Sequence, residues 1–121
     1  MKPDNPIVDK SKAFAIVAVK LYRKLCDERH EYVLSKQFVR AGTSIGANIH
    51  EAVRAQSHAD FIAKMSIALK ETQETEYWFD LLHETEYVGT SSFQRIQPQI
   101  DELLRLLTSI CKTANSKRGN T

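Results

Sequence analysis

Phe61, Met65, Ala68, Thr72, Thr75, Phe79 and Leu82 follow one another at alternating steps of four and three residues. On an α-helix that spacing puts all of them on one stripe, whereas on a strand, with its period of two, it would scatter them over both faces. A long helix with one apolar stripe must bury it against further elements. The rest of the chain supplies three such elements, all helical. Over roughly 9–29, Phe14, Ala18, Leu21 and Leu25 recur at threes and fours, with Lys20, Arg23 and Lys24 mostly off the stripe. Over roughly 35–55, Phe38, Ala41, Ile45, Ile49 and Ala52 share a face, and Ser35 stands where an N-cap is needed. Ile96, Ile100, Leu103, Leu107 and Ile110 form the last stripe.

The boundaries carry their own signals. In "QSHADF", Ser57 precedes Asp60 by three residues, a capping-box-like start for the third helix, which runs to about Tyr87. "VGTSS" offers Gly89 as a C-cap, then Ser and Thr as the next N-cap. Pro98 conflicts with a helix interior, so the fourth helix is expected to begin near Gln97 with the proline in its first turn. Breakers are otherwise scarce, with four Gly and three Pro in 121 residues. The expected fold is all-α, an antiparallel up-and-down four-helix bundle over 9–113. A flexible N-terminus over 1–8 and a disordered basic tail over 114–121 complete the one expected domain.

Composition narrows the class. Cys26 and Cys111 lie far apart within apolar-periodic segments, without zinc-site spacing, and read as buried free thiols. "MKPDNPIVDKSK" has no apolar signal-peptide core, and no window reaches the roughly 18 apolar residues of a membrane span, so a cytoplasmic protein is expected. The formal charge is only +2. It is unevenly spread: residues 1–64 hold 11 Lys/Arg against 7 Asp/Glu, and residues 65–121 hold 6 against 8. Lys20, Arg23, Lys24, Lys36 and Arg54 are the candidate phosphate contacts; the other reading is ordinary solvated helix faces.

Two patterns go beyond a simple core. Gln37, Arg40, Ser44, Asn48 and Glu51 form a polar stripe on the second helix, and Glu71 and Glu74 stand three apart on the third. Facing one another they would make a partly buried polar network; otherwise they are exposed polar residues. Ile62, Ile67, Leu69, Trp78 and Leu81 lie off the third helix's core stripe, more apolar surface than one core needs. With Gly42 and Gly46 giving the second helix a face of little bulk, a protomer interface through these glycines, Trp78 and Leu81 is expected.

"YVLSKQFVRAGTSIGANIHEAVRAQSHADFIAKMSIALKETQETEYWFDLLHETEYV" resembles the bacterial four-helix-bundle family that includes proteins encoded in 23S rRNA intervening sequences and the accessory variability proteins of diversity-generating retroelements. The similarity spans about 11–113. It is most specific at Gln37, Arg40, Ser44-Ile45, Asn48-Ile49, Glu51 and Arg54, then Ala68, Lys70-Glu71, Glu74-Thr75, Tyr77-Trp78 and Leu81-Leu82. Where many relatives read Asn-Ile-Ala-Glu-Gly, this chain has Asn48-Ile49-His50-Glu51-Ala52. The resemblance implies a four-helix protomer in a ring-like homo-oligomer, a pentamer in known relatives, without assigned catalysis. For the retroelement members it implies binding to nucleic acid and to a reverse transcriptase.

Catalytic chemistry has little support. His50 opens a zincin-like "HEAVR", but Arg54 occupies the second ligand position. Asp27-x-x-His30 and Asp80-x-x-His83 echo the carboxylate–histidine pairs of di-metal bundles, yet Asp80 and His83 fall one residue off core positions. No cofactor or metal is expected. The leading expectation is a non-enzymatic, oligomeric binding protein for structured RNA or DNA. The runners-up are an assembly scaffold for another protein and, more distantly, a di-metal carboxylate enzyme.

Overall fold

The computed structural model describes residues 5–119, which form four helices: α1 Pro6–Arg29, α2 Leu34–Ala52, α3 His58–Glu84 and α4 Thr90–Gly119. Each packs on its neighbours in sequence, α4 closes against α1, and there is no diagonal packing among the described residues. That is the antiparallel up-and-down bundle the periodicity predicts. The stripe on α3 is buried from Met65 to Leu82, with Phe61 at its start only partly buried beside buried Ile62, and aromatic rings link the helices: Phe14 meets Phe38 edge-on at 6.3 Å, Phe38 lies 5.7 Å from Phe79, and Phe79 stacks on Phe93 at 5.3 Å. Thr72 and Thr75 are tolerated in this core because their hydroxyls donate to Ala68 O and Glu71 O, both at 2.7 Å.

The helix ends differ from expectation in instructive ways. Ser57 caps α3 as predicted, accepting from Asp60 N at 3.0 Å. Ser35 does not cap α2. Glu31 takes that role from outside the helix: Oε1 accepts from Val33 N (3.1 Å) and Leu34 N (2.9 Å), Oε2 from Ser35 N (2.7 Å). Ser35 answers by donating its hydroxyl to Glu31 O at 2.7 Å. Nor does Gly89 supply a left-handed cap for α3. That conformation falls to Glu86 (φ 69), after which Tyr87 N and Val88 N both reach Leu82 O.

α4 begins at Thr90 rather than near Gln97, leaving Pro98 inside the helix. Pro98 and Gln94, whose carbonyl loses its donor, are both exposed, so water can replace the missing bond. The helices also exceed the expected bundle limits of 9–113. Pro6 starts α1 at the position proline favours, so of the flexible segment expected over 1–8 only residues 1–4 fall outside the described residues. At the other end, Ala114 is buried, its carbonyl accepts from His58 Nε2 at 3.0 Å, and Asn115 donates to Cys111 O; α4 runs on through the expected tail as far as Gly119. Residues 120 and 121 lie outside the described residues. Both cysteines are free; Cys111 is buried, but Cys26 is only half-buried.

Candidate nucleic-acid interface

α1 buries Ile7, Ser11, Phe14, Ala18, Leu21 and Leu25, which turns Lys20, Arg23 and Lys24 to solvent. All three lie in the half of α1 nearest its C-terminus. That end meets the α3–α4 turn, where Arg29 Nη1 donates to Glu86 O and Tyr87 O at 3.1 and 3.3 Å and the guanidinium lies 4.9 Å from the centre of the Tyr87 ring. Two grooves flank the ridge. On the α4 side Lys20 and Lys24 face Arg95 and Ser92 across Val17, Leu21 and Ile96. On the α2 side Arg23 faces Lys36, Gln37 and Arg40 across Val19, Tyr22 and Val39.

Four of the five predicted cations therefore share one half of the molecule. Arg54 does not join them: it follows α2 at the opposite end, donating to His50 Nδ1 at 3.0 Å and lining a separate hollow with Glu51, Asp60 and Lys64. Arg95 takes its place. A helix starting near Gln97 leaves Arg95 outside it; beginning α4 at Thr90 brings Arg95 opposite α1. Among the described residues, none of Lys20, Arg23, Lys24, Lys36 and Arg95 makes an ion pair. Asp27 and Glu28, exposed one turn beyond Arg23 and Lys24, are the acids on the ridge. Clustered cations without partners repel one another, and a polyanion relieves that repulsion while releasing counterions.

The polar network resolves into smaller parts. Arg40 joins α2 to α3, with Nη2 3.3 Å from Glu74 Oε2 and Nη1 3.9 Å from Glu71 Oε2. Glu71 Oε2 is buried and accepts no hydrogen bond. Burial, then the charge of Glu74, pushes the Glu71 carboxyl above its ordinary pKa against the pull of Arg40 and Lys70. Ser44 and Asn48 stay out of the network, donating to their own helix at Arg40 O (2.7 Å) and Ser44 O (2.8 Å). Glu51 pairs instead with Lys64 at 3.4 Å, and the Gln37 amide makes no hydrogen bond among the described residues.

The glycines pack against the protomer's own α1. A Cβ on Gly42 would come within 3.0 Å of Ala18 Cβ and 3.3 Å of Phe14 Cε2, and one on Gly46 would lie 3.5 Å from Ser11 O. Both face α1 of the same chain. On α3, Ile62 is buried, and Leu69 and Trp78 pack against the protomer's own core. Ile67 and Tyr77 remain exposed and Leu81 half-buried, with Tyr77 edge-on to Trp78 at 5.0 Å.

A family model described as 23S rRNA-intervening sequence protein matches residues 3–109. The chain belongs to that family. A crystal structure of a protein of unknown function from the S23 ribosomal protein family of Bacteroides thetaiotaomicron is 53% identical, with a TM-score of 0.86 over 88% of this chain and 98% of that one. No curated protein matches. The 23S rRNA-intervening sequence proteins are of unknown function and are not a known enzyme family.

In the two Asp/His pairs the histidines bond to other groups of the fold and not to their aspartates. His30 ends α1 in the left-handed conformation (φ 53) and shares a hydrogen bond with Tyr32 Oη at 3.1 Å. His83 Nδ1 donates to Val88 O at 2.9 Å while its ring stacks on Phe93 at 4.0 Å, and Asp27 and Asp80 are exposed. No three His, Cys, Asp or Glu residues among the described ones are grouped to hold a metal ion. No helix among them is long and apolar enough to cross a membrane.

Proposed function

We propose that this 23S rRNA-intervening sequence protein is a non-enzymatic, homo-oligomeric accessory protein of the cytoplasm that binds structured nucleic acid. The binding surface is the basic half of the bundle: Lys20, Arg23 and Lys24 on α1, Lys36 on α2 and Arg95 on α4. The observation that carries this reading is that these five exposed cations gather along the two grooves beside α1 and make no ion pair among the described residues, while Arg40 at the edge of the same groove is paired with acids of α3. Contacts of this kind position a phosphate backbone and carry no sequence information themselves.

Gel shifts with an RNA hairpin at low and moderate salt test the reading. Affinity is expected to fall steeply with salt, and the variant Lys20→Gln/Arg23→Gln/Lys24→Gln to reduce the log–log slope by about 2–3. Failure to bind the hairpin, and a DNA duplex, at low salt would refute it. The second reading, a scaffold for another protein such as a reverse transcriptase, draws on exposed Ile67 and Tyr77. It prevails if the charge variant keeps every measured interaction.

A further inference from the structure

The two grooves beside α1 differ in chemistry. The α4 side offers two lysines, an arginine and a hydroxyl, which suits phosphate oxygens and nothing more specific. The α2 side adds an aromatic ring and an amide. Tyr22 is half-buried in its wall, with Val19 and Val39 completing an apolar floor and Arg23, Lys36 and Gln37 on the rim. Its volume of about 570 Å³ lies within the roughly 300–1,000 Å³ of small-ligand clefts. One turn on from Tyr22, the Cys26 thiol lies 3.7 Å from Glu31 O at the α1–α2 corner.

A duplex presents phosphates and sugars to such a ridge and has no use for an aromatic wall or an unpaired amide between two cations. An unpaired base has use for both: its face stacks on the ring while the amide meets its edge or the ribose 2′-hydroxyl. Arg40 closes the groove towards α3, but its guanidinium is held by Glu71 and Glu74 and is not needed for the ligand. We infer that the α1–α2 groove holds one unpaired nucleotide of an RNA strand, its base stacked on Tyr22, its flanking phosphates on Arg23 and Lys36, and its 2′-hydroxyl within reach of Gln37. This rests on the nucleic-acid reading above and narrows it from any structured strand to a single-stranded or loop segment.

Fluorescence anisotropy with labelled oligouridylate, the matching deoxy strand and a blunt RNA duplex tests the groove on the full chain. Tyr22→Leu is expected to weaken oligouridylate binding roughly tenfold and leave the duplex unaffected, while Tyr22→Phe retains wild-type affinity. Wild type is expected to prefer the ribo over the deoxy strand, and Gln37→Leu to remove that preference. Melting curves confirm that each variant remains folded. The proposal is overturned if Tyr22→Leu, still folded, binds oligouridylate like wild type, or if single strand and duplex weaken equally. Equal wild-type affinity for ribo and deoxy strands overturns the assignment to RNA. Loss of all binding, duplex included, in the wild type defeats the parent reading rather than the groove alone.

Discussion

Two glutamates show how one side chain acquires opposite electrostatics from its surroundings. Glu31 is buried, which favours its neutral form, but the backbone N–H groups of Leu34, Ser35 and Val33 outweigh that cost and hold its pKa below the ordinary value. Its contribution to stability is thus present above the ordinary carboxylate range and lost as pH falls through the lowered pKa. Glu31→Gln would set an amide N–H against a backbone donor and is expected to cost about 1–3 kcal/mol in urea unfolding at neutral pH. The gap should shrink on acidification below the ordinary range. Glu71 runs the other way. Its raised pKa means that stability is greatest below the ordinary value and is lost as pH rises through the folded one. Glu71→Gln should therefore gain on wild type as pH rises through that raised pKa, by about 1 kcal/mol or less, since Arg40 keeps Glu74 at 3.3 Å. A gap independent of pH would show that Glu71 is not strained by burial.

At the scale of the helices, the apolar periodicity was enough to read all four and their packing order, because every core stripe repeats at threes and fours. What it did not reveal were features set by contacts between helices. Glu31 caps α2 from three residues before Leu34, a position that no N-terminal pattern marks. Pro98 looked like a helix start because sequence alone does not show that its face is exposed. Gly42 and Gly46 looked equivalent, four residues apart, yet they meet α1 at different distances. Gly42→Ala should force Ala18 or Phe14 aside and cost about 1–3 kcal/mol. Gly46→Ala makes an ordinary contact and should be neutral or stabilising by up to about 1 kcal/mol through helix propensity. Thermal melts of the two variants at matched concentration check the contrast. Similar shifts for both would mean that α1 and α2 are not in the contact described.

For the whole molecule, the same logic separates the protomer's core from the surface left for a partner. The sequence showed surplus apolar residues on α3, but not which of them the protomer itself covers. Ile62, Leu69 and Trp78 are absorbed within it, so a charge at Trp78 would disturb the fold as well as an assembly. Ile67 and Tyr77 are 42% and 61% exposed, and they form with half-buried Leu81 an outer face of α3 well away from the basic ridge of α1. A face of that composition is costly to charge only where it is covered by another subunit. Ile67→Glu and Leu81→Glu are therefore expected to split a homo-oligomer into species near the chain mass of 13.8 kDa while keeping wild-type helicity. Light scattering coupled to size exclusion, with far-UV circular dichroism on the same fractions, measures both. If wild type already elutes at the chain mass, no oligomer exists for this face to build. If it is oligomeric and both variants stay assembled, the interface lies on another surface, with the paired Lys64 and Glu51 seam between α2 and α3 the next to probe.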